Sequence, residues 1–81
     1  MAPWIELGPE NVIASGDIIA VIDWTQAKAR RVNRELVSYA RAHGFLTEDP
    51  REPKASLVIA KDRLFLLKAS AGSIRKKLDR T

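Results

Sequence analysis

The stretch Gly8-Pro9-Glu10-Asn11-Val12-Ile13-Ala14-Ser15-Gly16-Asp17-Ile18-Ile19-Ala20-Val21-Ile22-Asp23 decides how this chain is read. Gly8-Pro9-Glu10 is a turn signal, so residues 4–7 and Asn11–Ala14 read as two short strands. Ser15-Gly16-Asp17 is a second turn, because glycine tolerates the positive φ that tight connections require. Ile18–Asp23 then forms a strand rich in β-branched residues and apolar on both faces until Asp23. That pattern predicts burial on both sides.

Working outward, residues 25–43 carry the one long helical period. Ala29, Val32, Leu36, Tyr39, Ala40 and His43 share one arc of the helical wheel, the expected core face. Thr25 or Asp23 can cap its start, the latter with Gln26 completing a capping box. Gly44 suits the position just past its end. Residues 45–47 form a brief strand, followed by a polar loop over 48–54 that contains Pro50 and Pro53 and is expected to be mobile. Residues 56–60 and 63–68 are apolar strands joined at Lys61-Asp62. Ser70 can cap a C-terminal helix over 70–79. The expected architecture is one α+β domain over 1–81, with a small, largely antiparallel sheet, one main helix packed on it and a short C-terminal helix.

Eighty-one residues without cysteine leave neither disulfides nor cysteine-held metal to support a small core. Self-association is the remaining common remedy. No stretch has the roughly 18 consecutive apolar residues of a membrane span, and the N-terminal residues do not resemble a secretory signal. The expected location is cytoplasmic.

Charge is segregated. Residues 1–24 carry four acids, Glu6, Glu10, Asp17 and Asp23, and no base. Residues 25–43 carry Lys28, Arg30, Arg31, Arg34 and Arg41 against Glu35 alone, and residues 61–81 carry seven bases against Asp62 and Asp79. A polyanion-binding surface and head-to-tail assembly, acidic patch on basic patch, are both consistent with this.

Catalytic constellations are missing from the sequence. The single histidine, His43, sits on the apolar arc and reads as structural. No serine-centred elbow, metal-ligand spacing or phosphate-cradling glycine loop occurs, so neither enzyme activity nor a cofactor is expected. Arg30, Arg34 and Arg41 lie within about 40° of one another on the wheel, opposite the core arc. Arg30 and Arg34 are like charges at i, i+4, and Lys28, Arg30 and Arg31 crowd the first turns, where the helix dipole favours anions. A solvated face, phosphate contact and a subunit interface all remain open for this stripe. Arg75, Lys76, Lys77 and Arg80 form a second basic cluster that can grip phosphates, although cations near a helix C-terminus are favourable in themselves. Glu6, Glu10, Asp17 and Trp24 are the candidate oligomer contacts, Trp24 alternatively packing against the start of the helix.

Leu7-Gly8-Pro9-Glu10-Asn11-Val12-Ile13 with Asp17-Ile18-Ile19-Ala20-Val21-Ile22-Asp23 resembles the RemA/RemB extracellular-matrix regulatory family of bacteria. Gly44-Phe45-Leu46, Ser56-Leu57-Val58-Ile59 and Ser73-Ile74-Arg75-Lys76-Lys77-Leu78 extend the resemblance over nearly the whole chain. It implies a cofactor-free DNA-binding regulator of biofilm-matrix genes that assembles into an oligomer, in RemA-like members a ring. Where RemA-like members carry arginines, this chain has Asp17 before the third strand and Glu52 and Pro53 before the hairpin. Those DNA-contacting positions do not carry over, and the chain looks more like the RemB branch. Two expectations follow. One is a DNA-binding regulator that contacts phosphates through Arg30, Arg31, Arg34, Arg41, Arg75, Lys76, Lys77 and Arg80. The other is an oligomeric scaffold without DNA affinity, acting with a RemA-like partner. Neither involves a membrane.

Overall fold

The computed structural model describes residues 4–80. Alternation organises its first element pair. In β1 (Trp4–Gly8), Ile5 and Leu7 point inward while Trp4 and Glu6 point out, as a two-residue side-chain period requires. β2 (Asn11–Ala14) pairs with it antiparallel, Glu6 opposite Val12 and Trp4 opposite Ala14. The turn between them places Glu10 at φ 63°. A single 3-10 turn, Ser15–Asp17, leads into β3 (Ile18–Asp23).

The main sheet has the order β3-β5-β6-β4, with β4 spanning Leu46–Glu48, β5 Ser56–Ala60 and β6 Leu64–Leu67. Pairing is antiparallel except between β4 and β6, which run parallel. Every residue of β6, and all of β5 except the half-buried Ile59, is buried, so these central strands are the ones covered on both faces. β3, expected to be such a strand, is instead an edge strand, half-buried along most of its length with Ile19 exposed. Apolar side chains on both faces did not distinguish the two cases, because an edge strand also borders both layers.

Two apolar layers sandwich the sheet. On one face, Val58, Ala60, Phe65 and Leu67 meet Ile5 and Leu7 of the hairpin and Ile74 of α3 (Ala71–Asp79). On the other, Leu57, Leu64 and Leu66 meet Trp24, Val37 and Ala40. The fold is α+β, with a two-stranded and a four-stranded sheet, one main helix and a short C-terminal helix.

The expected helix over 25–43 is two helices, α1 (Trp24–Ala27) and α2 (Arg31–Ala42). The buried residues of α2 are Val37 and Ala40, with Asn33 half-buried in line with them, so of the expected arc only Ala40 packs inward. Val32 (67% exposed), Leu36 and Tyr39 (59%) face outward, as does Phe45 beyond the helix end. Helix–sheet contact is set by the entry angle of the chain, which periodicity alone does not encode. Local signals fared better. Asp23 caps α1, its Oδ1 accepting from Thr25 N at 3.0 Å. Ser70 Oγ caps α3 through Ser73 N at 3.1 Å. Gly44, at φ 78°, closes α2, with Phe45 N donating to Ala40 O at 2.8 Å and Gly44 N to Arg41 O at 3.4 Å, the paired bonds of a Schellman ending.

Gly44 needs its left-handed backbone, whereas Gly72 lies in α3 with open space where a Cβ would project. Gly44→Ala is expected to destabilise by about 1 kcal/mol. Gly72→Ala is expected to stabilise by roughly 0.5 kcal/mol. Urea unfolding of the two variants checks the opposite signs.

Candidate nucleic-acid interface

The site is built at the joint between α1 and α2. Residues 28–30 leave the helical path, and Arg30, with ψ 131°, becomes the N-terminal flanking residue of α2. The carbonyls at the end of α1 take side-chain donors from the next helix. Asn33 Nδ2 donates to Ala27 O at 2.8 Å and Arg34 Nη1 to Lys28 O at 2.7 Å. Ala27 O also accepts from Arg30 N at 3.1 Å, so Asn33 reinforces that carbonyl, while Arg34 supplies a donor to the Lys28 carbonyl beyond the helix end. The break also takes Lys28 and Arg30 out of the first turns of a single helix, where like charges would crowd.

The joint opens a recess of about 690 Å³ lined by Val21, Asp23, Gln26, Arg30, Asn33 and Arg75 among others. Arg75 reaches it from α3, its Nη2 donating to Val21 O on the edge strand at 2.7 Å. Arg30 enters from the opposite wall, and its guanidinium makes no hydrogen bond or ion pair among the described residues. Asp23 is committed to Thr25 through N and, at 2.6 Å, Oγ1. Those bonds hold its carboxyl below the usual carboxylate range, and the charge of Arg75 acts in the same direction.

The remaining predicted cations separate by role. Arg31 pairs with Glu35 at 3.0 Å on the open surface, a contact of little energetic weight. Arg34 braces the joint without a carboxylate partner among the described residues. Arg41 is engaged by Glu48 at 2.8 Å, which keeps the Glu48 carboxyl ionised below its ordinary range. Arg41 also stands roughly 16 Å along the helix from Arg30, so the expected stripe does not act as one patch. Lys77 Nζ donates to Glu6 O at 2.8 Å. Lys76 and Arg80 are exposed and carry no ion pair among the described residues.

Of the candidate oligomer contacts, Glu6 and Glu10 are exposed, and Asp17 meets Lys61 of its own chain at 3.4 Å. Trp24 is a correction. At 9% exposure it belongs to the core cluster under α2, because the Asp23 cap turns the chain inward just there. His43 is exposed rather than core-facing, stacked on Tyr39 at 4.1 Å with Nδ1 2.9 Å from Tyr39 O. Among the described residues no cluster of His, Asp and Glu could hold a metal ion, and no helix is long and apolar enough to cross a membrane.

Sequence reading missed the role of Asp49, the first residue after β4 in the loop expected to be mobile. It is 1% exposed and accepts four bonds: Arg51 N and Nε at 3.0 and 2.9 Å, Arg51 Nη2 at 2.8 Å and Lys68 N at 3.1 Å. The Arg51 guanidinium holds its carboxyl far below the usual range. The mixed charges around it gave no sign of which acid turns inward.

No protein-family model matches the chain, and no curated protein matches it.

Asp49→Ala removes the acceptor for two backbone N–H groups and is expected to destabilise by about 2–3 kcal/mol. Because the folded carboxyl titrates below its unfolded value near 4, its contribution is complete above about pH 4 and is lost as the pH falls below that. Unfolding of wild type and Asp49→Ala across pH 2–7 checks this: the stability gap between them should narrow only on the acid side.

Proposed function

We propose that the protein is a self-associating, cofactor-free regulator of extracellular-matrix genes that acts in the cytoplasm and binds duplex DNA through its phosphates. The observation that carries this reading is the placement of cations without carboxylate partners. Arg30 and Arg34 at the α1–α2 joint and Arg75, Lys76, Lys77 and Arg80 on α3 form no salt bridge among the described residues, and Arg30 and Arg75 line one recess. Arg31 and Arg41, matched by Glu35 and Glu48, contribute less. The RemA/RemB resemblance supports the same reading. With no base-reading array in view, target choice would come from successive subunits favouring particular DNA curvature.

Exposed apolar residues support self-association. Val32, Leu36, Tyr39 and Phe45 lie along and beyond α2, and Trp4, Val12 and Ile19 on the outer hairpin and edge strand. They equally favour a second reading, an oligomeric scaffold that binds a RemA-like partner instead of DNA.

Fluorescence anisotropy with a duplex over a salt series, alongside oligomer mass in the same buffers, separates the two. Under the DNA reading, affinity falls with a log–log slope of about −0.9 per neutralised phosphate. The triple variant Arg30→Ala, Lys76→Ala, Arg80→Ala removes cations whose side chains have no partner among the described residues, so it should flatten that slope by about 3 at unchanged melting temperature. Arg31→Ala with Arg41→Ala should change it by less. An intact oligomer that ignores DNA at low salt would favour the scaffold, and a slope unaffected by the triple variant would discard the assigned contacts.

A further inference from the structure

We propose that the recess between β3, α1 and α3 is a binding site for the phosphate ester of a nucleotide, held between Arg30 and Arg75. Two guanidiniums from distant parts of the chain line one cavity, and the only carboxylate there, Asp23, is already engaged by Thr25. Guanidinium forks match phosphate oxygens two at a time. Arg75 is pre-positioned, since its bond to Val21 O at 2.7 Å fixes the plane of the fork while leaving further donors available. The Arg30 guanidinium, without a partner among the described residues, can close on the opposite side.

Size and composition narrow the ligand class. About 690 Å³ falls in the roughly 300–1,000 Å³ range of small-molecule sites and exceeds the needs of a lone oxyanion. Asp23 disfavours a second phosphate in the same space, yet its carboxyl, held by Thr25 and the Gln26 backbone, has lone pairs left to accept from a hydroxyl or amine. The Gln26 side-chain amide, without a partner among the described residues, adds a donor and an acceptor beside it. A single phosphate on a hydrogen-bonding body fits this set: a nucleotide, either free or as one unit of a strand. A free mononucleotide would fill the site whether or not the protein binds DNA, so this assignment stands apart from the regulator reading.

The test is NMR of the arginine Nε–H and glutamine side-chain signals of the full chain, titrated separately with thymidine 5′-monophosphate, inorganic phosphate and a short duplex. The mononucleotide should shift Arg30, Arg75 and Gln26, with inorganic phosphate at least about tenfold weaker. Arg30→Gln should weaken the mononucleotide about tenfold or more with the rest of the spectrum unmoved. Arg75→Lys keeps a donor for Val21 O and the charge but loses the fork, and should also weaken it. Shifts at these residues with the duplex alone would support the site and assign its phosphate to a strand. Shifts with the mononucleotide alone would support it as a small-molecule site while counting against DNA binding. Duplex binding that leaves these signals in place, silence toward both ligands, or inorganic phosphate binding as well as the mononucleotide would each overturn the assignment.

Discussion

The joint between α1 and α2 depends on two side-chain-to-backbone bonds, Asn33 to Ala27 O and Arg34 to Lys28 O. Residues 27–31 are Ala, Lys, Ala, Arg and Arg, all good helix formers, and propensity alone would carry the helix straight through. By bonding the carbonyls at the end of α1, Asn33 and Arg34 make termination there affordable. α2 then starts on a new axis, packs through Val37 and Ala40, and leaves Val32, Leu36 and Tyr39 outside. The same turn opens the recess at Arg30. Helix interruption, exposed apolar stripe and basic recess are thus three consequences of one local arrangement.

A domain this small has little core to spare, and its architecture concentrates what it has. β5 and β6 bury side chains on both faces, so each strand serves two apolar clusters at once. Polar contacts guard the margins. Asp49 ties the end of β4 to the backbone just beyond β6. Arg75 covers a carbonyl on the open edge of β3, one of the ways a sheet edge is kept from pairing with another chain. An arginine lining the proposed phosphate site thus also guards an edge.

Signals confined to a few neighbouring residues were legible in advance. The hairpin turn, the caps at Asp23 and Ser70 and the Gly44 ending each follow from the backbone chemistry of one or two residue types, and the α+β class follows from their order. Features decided between distant elements were not. Periodicity located an apolar face on the main helix but not the stripe that packs, since the packed stripe includes the polar Asn33. The pattern of β3 suggested a central strand, while its neighbours in space made it an edge. The basic residues were visible as a group, yet only side-chain partners separate Arg30, which is unpaired among the described residues, from Arg41, which is matched by Glu48, and from Arg34, which braces the joint.

The recess and the placement of Arg30 therefore both depend on the joint itself. Backbone chemical shifts over residues 24–42 in solution test it most directly. Helical values over 24–27 and 31–42, interrupted by extended values at Arg30, are the predicted result. Unbroken helical shifts from residue 25 to residue 42 would contradict it, removing the recess and the placement of Arg30 together.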